Sequence, residues 1–523
     1  MSDSSSSTSP DHRAAFGLDP AFAVGDVDRR LFGSFVEHMG RCVYTGIYEP
    51  DHPTADADGF RQDVLGLTRD LGVSVVRYPG GNFVSSYRWE DGVGPREERP
   101  GRLDLAWRGL EPNAVGVNEF MGWARGAGIE PMMAVNLGTR GVEAAVDLIE
   151  YCNHPEGTYL SDLRRSHGAK EPHDIRLWCL GNELDGPWQM GQKTAYEYGR
   201  LAAETAKAMR MVDPRIELVA VGSSNSHMDT FGAWEVEVLE QTYEHIDYIS
   251  LHDYYEQDGD DLASFLASSV DMDAFISAVV ATADHVGARV RSSKKLKLSF
   301  DEWNVWYQKR FVGQQNLDWT FARELIEDEF TVTDAVVVGS FLITLLRHAD
   351  RVGVACQAQL VNVIAPIRTE AGGAAWRQTI YHPFALTSRL ARGRVLRVEA
   401  RSPRVDTSRF GPVAALDVTA TYDELSGDVV VFAVNRGTAE PLPVEVDLRA
   451  LVALHGAYAV TEHHVVADED LTATNTAQEP DRVVPRAGSD ARVEAAAARV
   501  LLPPVSWSAV RLSPTARLAD GAR

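Results

Sequence analysis

Hydrophobic residues recur along the chain with two different spacings, and the spacing changes near residue 390. Before that point, apolar residues three or four positions apart alternate with short apolar runs, which is the pattern of alternating helices and strands. An apolar stripe from Phe60 to Leu71 predicts a helix that ends at Gly72, and the run Val73–Tyr78 predicts the strand that follows it. The same pattern predicts further helices that begin near Asn118, Thr194 and Asp334.

Eight candidate strands can be placed in this first part of the chain, beginning near Gly33, Val73, Pro131, Arg176, Ile216, Tyr248, Leu296 and Val352. Each is separated from the next by enough residues for a helix and its loops, which favours an α/β fold with a parallel (β/α)₈ TIM barrel. A doubly wound open sheet is the alternative. The first strand is not followed by the G-x-G-x-x-G motif, which speaks against the dinucleotide-binding form of that fold.

After residue 390 the helical spacing stops, and short alternating runs separated by turn residues predict a β-sandwich. The runs are Val413–Tyr422, Val429–Asn435, Val444–Leu448, Tyr458–Val466 and Val505–Leu512. The extended segment before the first barrel strand is expected to join them. The predicted domains are a catalytic barrel over 26–390 and a sandwich formed by 14–25 and 391–513, with disordered tails at 1–13 and 514–523.

Composition narrows the class of substrate. The 523 residues carry 51 basic and 75 acidic side chains, so the net charge is 51 − 75 = −24. Such a charge repels phosphate backbones and anionic lipids, and we expect a neutral substrate, with neither nucleic acid nor a membrane as partner. The run Ala335–Leu346 is too short to span a bilayer and predicts a buried helix. The Ser-rich segment Met1–Pro10 lacks the features of a signal peptide, so a cytoplasmic location is expected.

Two apolar strands of the predicted barrel end in a glutamate. Arg176–Glu183 and Lys297–Glu302 are the fourth and seventh strands, whose carboxyl ends face each other across the mouth of a closed barrel. Two carboxylates about 5–5.5 Å apart, one as nucleophile and one as general acid and base, are what a retaining glycosidase needs. Arg77, at the end of the second strand, is placed to support one of them.

Aromatic residues near these strand ends offer stacking faces for sugar rings, namely Trp89, Trp188, Tyr254, Trp303 and Trp306. Taken singly, each of these candidates is more often structural: a lone strand-end Glu is usually a satisfied loop carboxylate, and a lone His252 is usually packed or solvated. The two glutamate-terminated strands together favour catalysis. The sequence shows no zinc-spaced His and Cys cluster, no P-loop and no G-x-S-x-G motif.

Six sequence blocks at these strand ends occur in one order: Gly33–Tyr44, Arg77–Phe83, Gly181–Gln189, His252–Tyr255, Asp301–Trp306 and Gln359–Asn362. In that order, over about residues 30–370, they resemble the α-L-arabinofuranosidases of glycoside hydrolase family 51. Small departures occur at Leu184 and Asp253.

The resemblance implies a TIM barrel followed by a jelly-roll β-sandwich, and double displacement with retention at the anomeric carbon. It implies Glu302 as nucleophile and Glu183 as acid/base, with no cofactor and no metal. It also implies sugar contacts from Glu37, Asn82, Asn182 and Gln359, a pocket wall from Trp306, and support from Arg77, His252 and Tyr254. Members of the family are commonly homo-oligomers, often hexamers.

The predicted function is therefore an intracellular, exo-acting α-L-arabinofuranosidase that acts on arabino-oligosaccharides and on arabinoxylan or arabinan fragments. One alternative is a same-fold retaining glycosidase of other specificity, such as an endo-glucanase or β-xylosidase. A transglycosylase and a non-catalytic carbohydrate-binding barrel are the others. The segment Gln308–Trp319 is expected to form a loop over the leaving-group side.

Overall fold

The computed structural model describes residues 12–516, and its centre is a closed barrel of eight parallel strands. We number them in chain order: β1 Gly33–Phe35, β2 Val75–Tyr78, β3 Glu130–Ala134, β4 Leu177–Cys179, β5 Glu217–Ala220, β6 Tyr248–Tyr255, β7 Lys297–Val305 and β8 Val352–Gln357. β8 pairs with β1 in parallel and so closes the barrel. The predicted barrel is confirmed, the open sheet is wrong, and every strand begins within two residues of its predicted start.

One long helix follows each barrel strand: α1 Gln62–Leu71, α2 Val117–Ala127, α3 Val142–Asn153, α4 Ala195–Val212, α5 Ala233–Thr242, α6 Ser269–Arg289, α7 Val332–Arg347 and α8 Tyr381–Leu390. The helix ends follow the sequence signals. α1 ends where Gly72 takes a left-handed φ of 77°, and Thr194 caps α4 by accepting a hydrogen bond from the Glu197 N–H. Shorter helices cover Tyr159–Ser166, Leu262–Leu266 and Arg449–His455, and 3₁₀ turns cover Arg29–Phe32, Asn82–Ser85, Trp89–Gly92, Arg96–Glu98, Gln308–Arg310 and Gln314–Asn316.

Two sheets pack face to face after the barrel. The four-stranded sheet has the order Ala14–Gly17, Leu442–Asp447, Ala497–Leu502, Ala491–Glu494. The seven-stranded sheet has the order Ala23–Asp26, Arg394–Leu396, Leu416–Tyr422, Val429–Asn435, Ser506–Pro514, Tyr458–Val466, Arg486–Ala487. Residues from both sheets share one apolar core, including Val418, Val431, Val444 and Val500. The predicted sandwich is confirmed, and the N-terminal segment supplies one edge strand to each sheet.

Small two-stranded hairpins complete the fold: Arg102–Asp104 with Gly109–Glu111, Ile367–Thr369 with Ala375–Arg377, and Arg404–Thr407 with Gly411–Ala414. The tails predicted at 1–13 and 514–523 lie mostly outside the described residues. Within them, Pro514 is the last residue of its strand, and the Thr515 N–H donates to the Ala457 carbonyl over 2.8 Å.

α7 joins the barrel to the sandwich. All of its residues from Val332 to Leu346 are buried, as its continuous apolar run predicts. Asp417 of the seven-stranded sheet accepts hydrogen bonds from Arg347 of α7 over 2.6 Å and from Arg436 over 2.7 Å. This buried charge cluster fixes the sandwich against α7, since separating the domains would take Arg347 away from the buried Asp417 and leave Arg436 as its cation. Among the described helices, none combines the length and the apolar character that a bilayer crossing needs.

Candidate active site

The carboxyl ends of the barrel strands enclose a cavity of about 370 Å³. Seven of the ten predicted site residues line it: Glu37, Asn82, Glu183, Tyr254, Glu302, Trp306 and Gln359. Arg77, Asn182 and His252 are buried behind this wall and contact it. The structure thus brings all ten predicted site residues together.

Glu302 lies on β7, beside β6, in a register that places it opposite His252. Its carboxylate is 6% exposed and accepts hydrogen bonds from two side chains, Arg77 Nη1 at 2.6 Å and the Tyr254 hydroxyl at 2.8 Å. Two donors, one of them cationic, are the surroundings of an ionised carboxylate. Glu302 is therefore held as an anion that faces the cavity.

Arg77 of β2 is the cation on which these contacts converge, and it is 1% exposed. Its Nη2 donates to Asn182 Oδ1 over 2.7 Å, and its Nε lies 3.2 Å from Asp301 Oδ2. Burial would raise the pKa of Asp301, but the charges of Arg77 and His252 outweigh it and hold that pKa below its ordinary value. The guanidinium of Arg77 therefore forms ion pairs with both Asp301 and Glu302 of β7.

Glu183 follows β4 in a tight turn, with φ values of 100° at Gly181 and 43° at Glu183. Its Oε2 accepts a hydrogen bond from Trp188 Nε1 over 2.7 Å, and its Oε1 lies 3.0 Å from His252 Nδ1. Burial raises the pKa of Glu183 and the charge of Glu302 adds to the rise, while the contacts with His252 and Trp188 offset part of it. Glu183 is the carboxyl suited to hold a proton.

One carboxylate oxygen of Glu183 lies within 4.8 Å of one of Glu302, which is too close for the water of an inverting enzyme and fits the about 5–5.5 Å of a retaining pair. His252 sits between them, with Nδ1 3.7 Å from Glu302 Oε1 and Nε2 3.4 Å from Asp301 Oδ1. Burial lowers the pKa of His252, but the charge of Glu302 and the contacts with Asp301 and Glu183 outweigh it and raise the pKa to about 10. The carboxyl groups of Glu183 and Glu302 thus lie close together but in different electrostatic surroundings.

Within residues 12–516, Glu183, His252 and Glu302 are also the group whose possible ligand atoms lie close enough together to hold a metal ion. The same carboxylate oxygens already accept hydrogen bonds from Arg77, Tyr254 and Trp188. The chemistry derived below needs no ion there.

Amide groups and the carboxyl of Glu37 form another part of the cavity wall. Glu37 accepts hydrogen bonds from the Phe83 N–H at 2.8 Å, Trp107 Nε1 at 2.9 Å and Gln359 Nε2 at 3.2 Å. Burial raises the pKa of Glu37 to about 8. Asn182 Nδ2 donates to Asn82 Oδ1 over 3.2 Å. A wall of amides and a protonatable carboxyl is suited to hydroxyl groups.

Some aromatic predictions are wrong. Trp89 packs on Tyr151 with ring centroids 5.1 Å apart, and Trp303 is fully buried against Phe341, so both belong to the core. Trp188 and Trp306 do line the cavity, as does much of the predicted loop Gln308–Trp319.

Sequence reasoning missed Trp107, whose indole donates to Glu37. It included Phe311, which packs 6.3 Å from Trp107, only as part of the loop Gln308–Trp319. It placed Asp301, which contacts Arg77, at a strand end without giving it a role. Asp301 follows an apolar run and directly precedes Glu302, and this position next to the predicted nucleophile was the signal in the sequence. Trp107 lies in the turn of a hairpin whose sequence carries no comparable signal.

Comparison with known proteins gives concordant matches. The chain matches a model of the α-L-arabinofuranosidase 1 domain over residues 67–274 and a model of the α-L-arabinofuranosidase C-terminal domain over 301–506. It is 58% identical over 501 residues to an intracellular exo-α-(1→5)-L-arabinofuranosidase of Streptomyces lividans, covering 95% of this chain and 75% of that protein. It is 51% identical over 509 residues to an exo-α-(1→6)-L-arabinofuranosidase of Bifidobacterium longum, covering 95% of this chain and 96% of that protein.

Among solved structures, a family 51 α-L-arabinofuranosidase from Bifidobacterium longum superposes with a TM-score of 0.92 at 46% identity. The match covers 96% of this chain and 100% of that one.

Replacing Arg77 with Met keeps the side chain's approximate length and removes the charge between Asp301 and Glu302. At pH 7 we expect Arg77→Met to lower the free energy of unfolding by about 3–5 kcal/mol, because buried carboxylates lose their cation. In the wild type, the pKa of Asp301 is lower in the folded protein than in the unfolded chain. This difference stabilises the fold at pH values above the unfolded-state pKa, and the stabilisation is lost as the pH falls through the folded-state pKa. Without Arg77, burial raises the pKa of Asp301 above its unfolded-state value, so the variant takes up a proton on folding. The loss of stability relative to the wild type is therefore smaller at pH 5 than at pH 7.

Thermal unfolding midpoints of both proteins at pH 7 and pH 5 measure this difference. Arg394→Met, which breaks an ion pair with Glu424 that is exposed on both sides, is the control and should cost the same small amount at both pH values. An Arg77→Met deficit that does not change with pH would contradict the assignment.

Proposed function

Because the chain belongs to glycoside hydrolase family 51, the α-L-arabinofuranosidases, we propose that it removes terminal α-L-arabinofuranosyl residues from arabino-oligosaccharides by retaining double displacement. The observation that carries this proposal is the Glu183–Glu302 pair, with carboxylate oxygens within 4.8 Å and unequal surroundings.

In the first step, a Glu302 oxygen attacks the anomeric carbon while Glu183 gives its proton to the glycosidic oxygen, so the leaving sugar departs as a neutral alcohol. Arg77 and Tyr254 fix the position of the attacking carboxylate through the contacts at 2.6 and 2.8 Å. The raised pKa of Glu183 keeps a proton available for the leaving group.

In the second step, Glu183 takes a proton from water as the water attacks the glycosyl ester, and Glu302 leaves as a carboxylate. Esterification of Glu302 removes the negative charge that had helped to raise the pKa of Glu183. The pKa of Glu183 therefore falls in the intermediate, where it must act as a base.

The cavity favours cleavage from a chain end. Its most buried polar lining, Glu37 and Gln359 with Asn182 directly behind, carries hydroxyl-binding groups, while its mouth carries exposed groups such as Trp188 and Gln315. We assign the buried side to the terminal furanose, with Asn82 beside it and Trp306 as a wall, and the mouth to the leaving sugar.

Glu302 and Glu183 variants test the two roles with 4-nitrophenyl α-L-arabinofuranoside, beside the β-xyloside and β-glucoside. We expect wild-type turnover of the arabinofuranoside with the α-anomer released first, and Glu302→Ala at the background rate because no glycosyl-enzyme forms. Glu183→Ala should lose about 10²- to 10⁴-fold on an arabino-oligosaccharide, whose leaving group needs a proton.

Azide separates the roles: it should give the β-glycosyl azide with Glu302→Ala and the α-glycosyl azide with Glu183→Ala. The reverse pattern would exchange the assignments. Turnover of the β-xyloside or β-glucoside alone would overturn the arabinofuranose specificity and keep the retaining barrel.

We also propose (1→5)-linked oligosaccharides as the preferred substrate, because a relative with this named specificity is 58% identical, although one named for the (1→6) linkage is 51% identical. Reducing-end-labelled (1→5)- and (1→6)-linked arabinotrioses at equal concentration measure the preference. We expect faster release of arabinose from the (1→5) compound, with a labelled disaccharide as the first labelled product. A labelled monosaccharide appearing first would indicate endo cleavage, and a faster (1→6) reaction would reverse the linkage.

We further propose a cytoplasmic homo-oligomer, with a hexamer as the family resemblance implies. Large apolar side chains are exposed on two neighbouring loops, at Leu103, Leu105, Leu110, Trp319 and Phe321, and such a surface is suited to burial by another copy. Light scattering on the purified chain should give six times the chain mass of 57.4 kDa, and a monomer mass would contradict the proposal.

A further inference from the structure

A short hairpin in the loop between β2 and α2 brings Trp107 to the cavity. Its strands are Arg102–Asp104 and Gly109–Glu111, and Asp104 fixes the turn by accepting the N–H groups of Ala106 at 2.9 Å and Trp107 at 3.2 Å. From this turn the indole of Trp107 reaches Glu37, with Nε1 2.9 Å from Oε1. The position of the hairpin therefore decides where one wall of the cavity stands.

At the other end of the hairpin, Glu111 is a buried carboxylate that does not line the cavity. Its Oε2 lies 2.9 Å from His38 Nδ1, and its Oε1 accepts hydrogen bonds from the Tyr44 hydroxyl and from the Asn113 N–H at 2.7 Å. Both carboxylate oxygens are thus satisfied, which offsets the cost of burying the charge.

His38 connects this carboxylate to the catalytic strands. It directly follows Glu37, its Nε2 lies 2.9 Å from the hydroxyl of Tyr78, and Tyr78 directly follows Arg77. Its ring stacks on Phe83 at a centroid distance of 4.8 Å, and the Phe83 N–H donates to Glu37. His38 is therefore packed among the chain neighbours of Glu37 and Arg77.

We propose that Glu111 is a positioning residue, which through His38 fixes the hairpin to the ends of β1 and β2 so that Trp107 and Glu37 stand at the separation that the terminal sugar requires. The contacts form a closed ring from Glu37 to Trp107, along the hairpin to Glu111, and through His38 back to Glu37. The hydrogen bonds of the Glu111 carboxylate are directional, so they fix the position of the hairpin relative to the ends of β1 and β2. An apolar side chain at this position would not fix it.

The kinetic test rests on the proposed function, because its readout is hydrolysis of an arabinofuranoside. Glu111→Ala should raise KM about tenfold or more with a smaller change in kcat, since the wall touches the sugar in both the ground state and the transition state. Glu111→Gln keeps an acceptor for Tyr44 and Asn113 and a group that can bond His38, so it should stay within about threefold of the wild type. Asp213→Ala, which removes a buried carboxylate before β5 at the opposite end of the barrel, is the control and should lower the thermal midpoint without raising KM.

A double-mutant cycle with Trp107→Phe separates positioning from a general loss of structure. If Glu111 acts through the indole, the double variant has the KM of the worse single variant. Effects that multiply, or a Glu111→Ala variant whose KM is within twofold of the wild type, would overturn the proposal.

Hydrogen exchange gives a readout that does not depend on activity. Glu111→Ala should speed amide exchange within 102–111 and leave the barrel strands unchanged. Unchanged exchange in the hairpin would overturn the proposal even in an active enzyme. An inactive wild type would overturn the proposed function alone, and the exchange result would still decide the role of Glu111.

Discussion

A single buried guanidinium sets the geometry of the catalytic centre. Arg77 points Nη1 at Glu302, Nη2 at Asn182 and Nε toward Asp301, so its rigid planar fork holds β4 and β7 in register with β2. Four carboxyl groups come together in this barrel mouth, those of Glu37, Glu183, Asp301 and Glu302, and without cations such a cluster would be costly to bury. Arg77 on β2, together with His252, therefore determines where negative charge is stabilised there.

The division of labour between the two catalytic carboxyls follows from where that cation lies. Arg77 and the Tyr254 hydroxyl are on the side of Glu302, while Glu183 has Trp188 and the shared His252. The same residue type is thus anionic on one strand and able to hold a proton on the other. Because part of the rise in the pKa of Glu183 comes from the charge on Glu302, consuming that charge in the ester changes Glu183 from acid to base without any movement of the backbone.

Much of the fold could be predicted from local patterns. Strands of a parallel barrel are buried on both faces and appear as short apolar runs, and helices such as α4 carry a capping Thr and a regular stripe. Glu183 and Glu302 were found because each ends such a run. Neighbours in a strand point to opposite faces, and Trp303 accordingly faces the core beside Glu302, a signal which the stacking prediction did not use. The register of β7 shifts between Phe300 and Trp303, and there Asp301 and Glu302 both contact Arg77, against strict alternation.

The hairpin with Trp107 and Glu111 had no comparable signal. Its role depends on contacts with His38 and Glu37, residues about seventy positions away, and spacing within the hairpin does not encode such contacts. The function of such a loop depends on hydrogen bonds to residues that are distant in sequence. These contacts can be identified only when the positions of the strand ends are known.

The raised pKa of Glu37 completes the electrostatic logic of the cavity. Burial raises the pKa of Glu37 to about 8, which favours the neutral, protonated form at neutral pH in the cavity that Glu37 shares with Glu302. A second anion here would compete with Glu302 for the positive charge that develops at the anomeric carbon and could form no bond with it. A neutral Glu37 can instead exchange hydrogen bonds with sugar hydroxyls. The transition state then meets its principal negative charge at the one oxygen placed to attack.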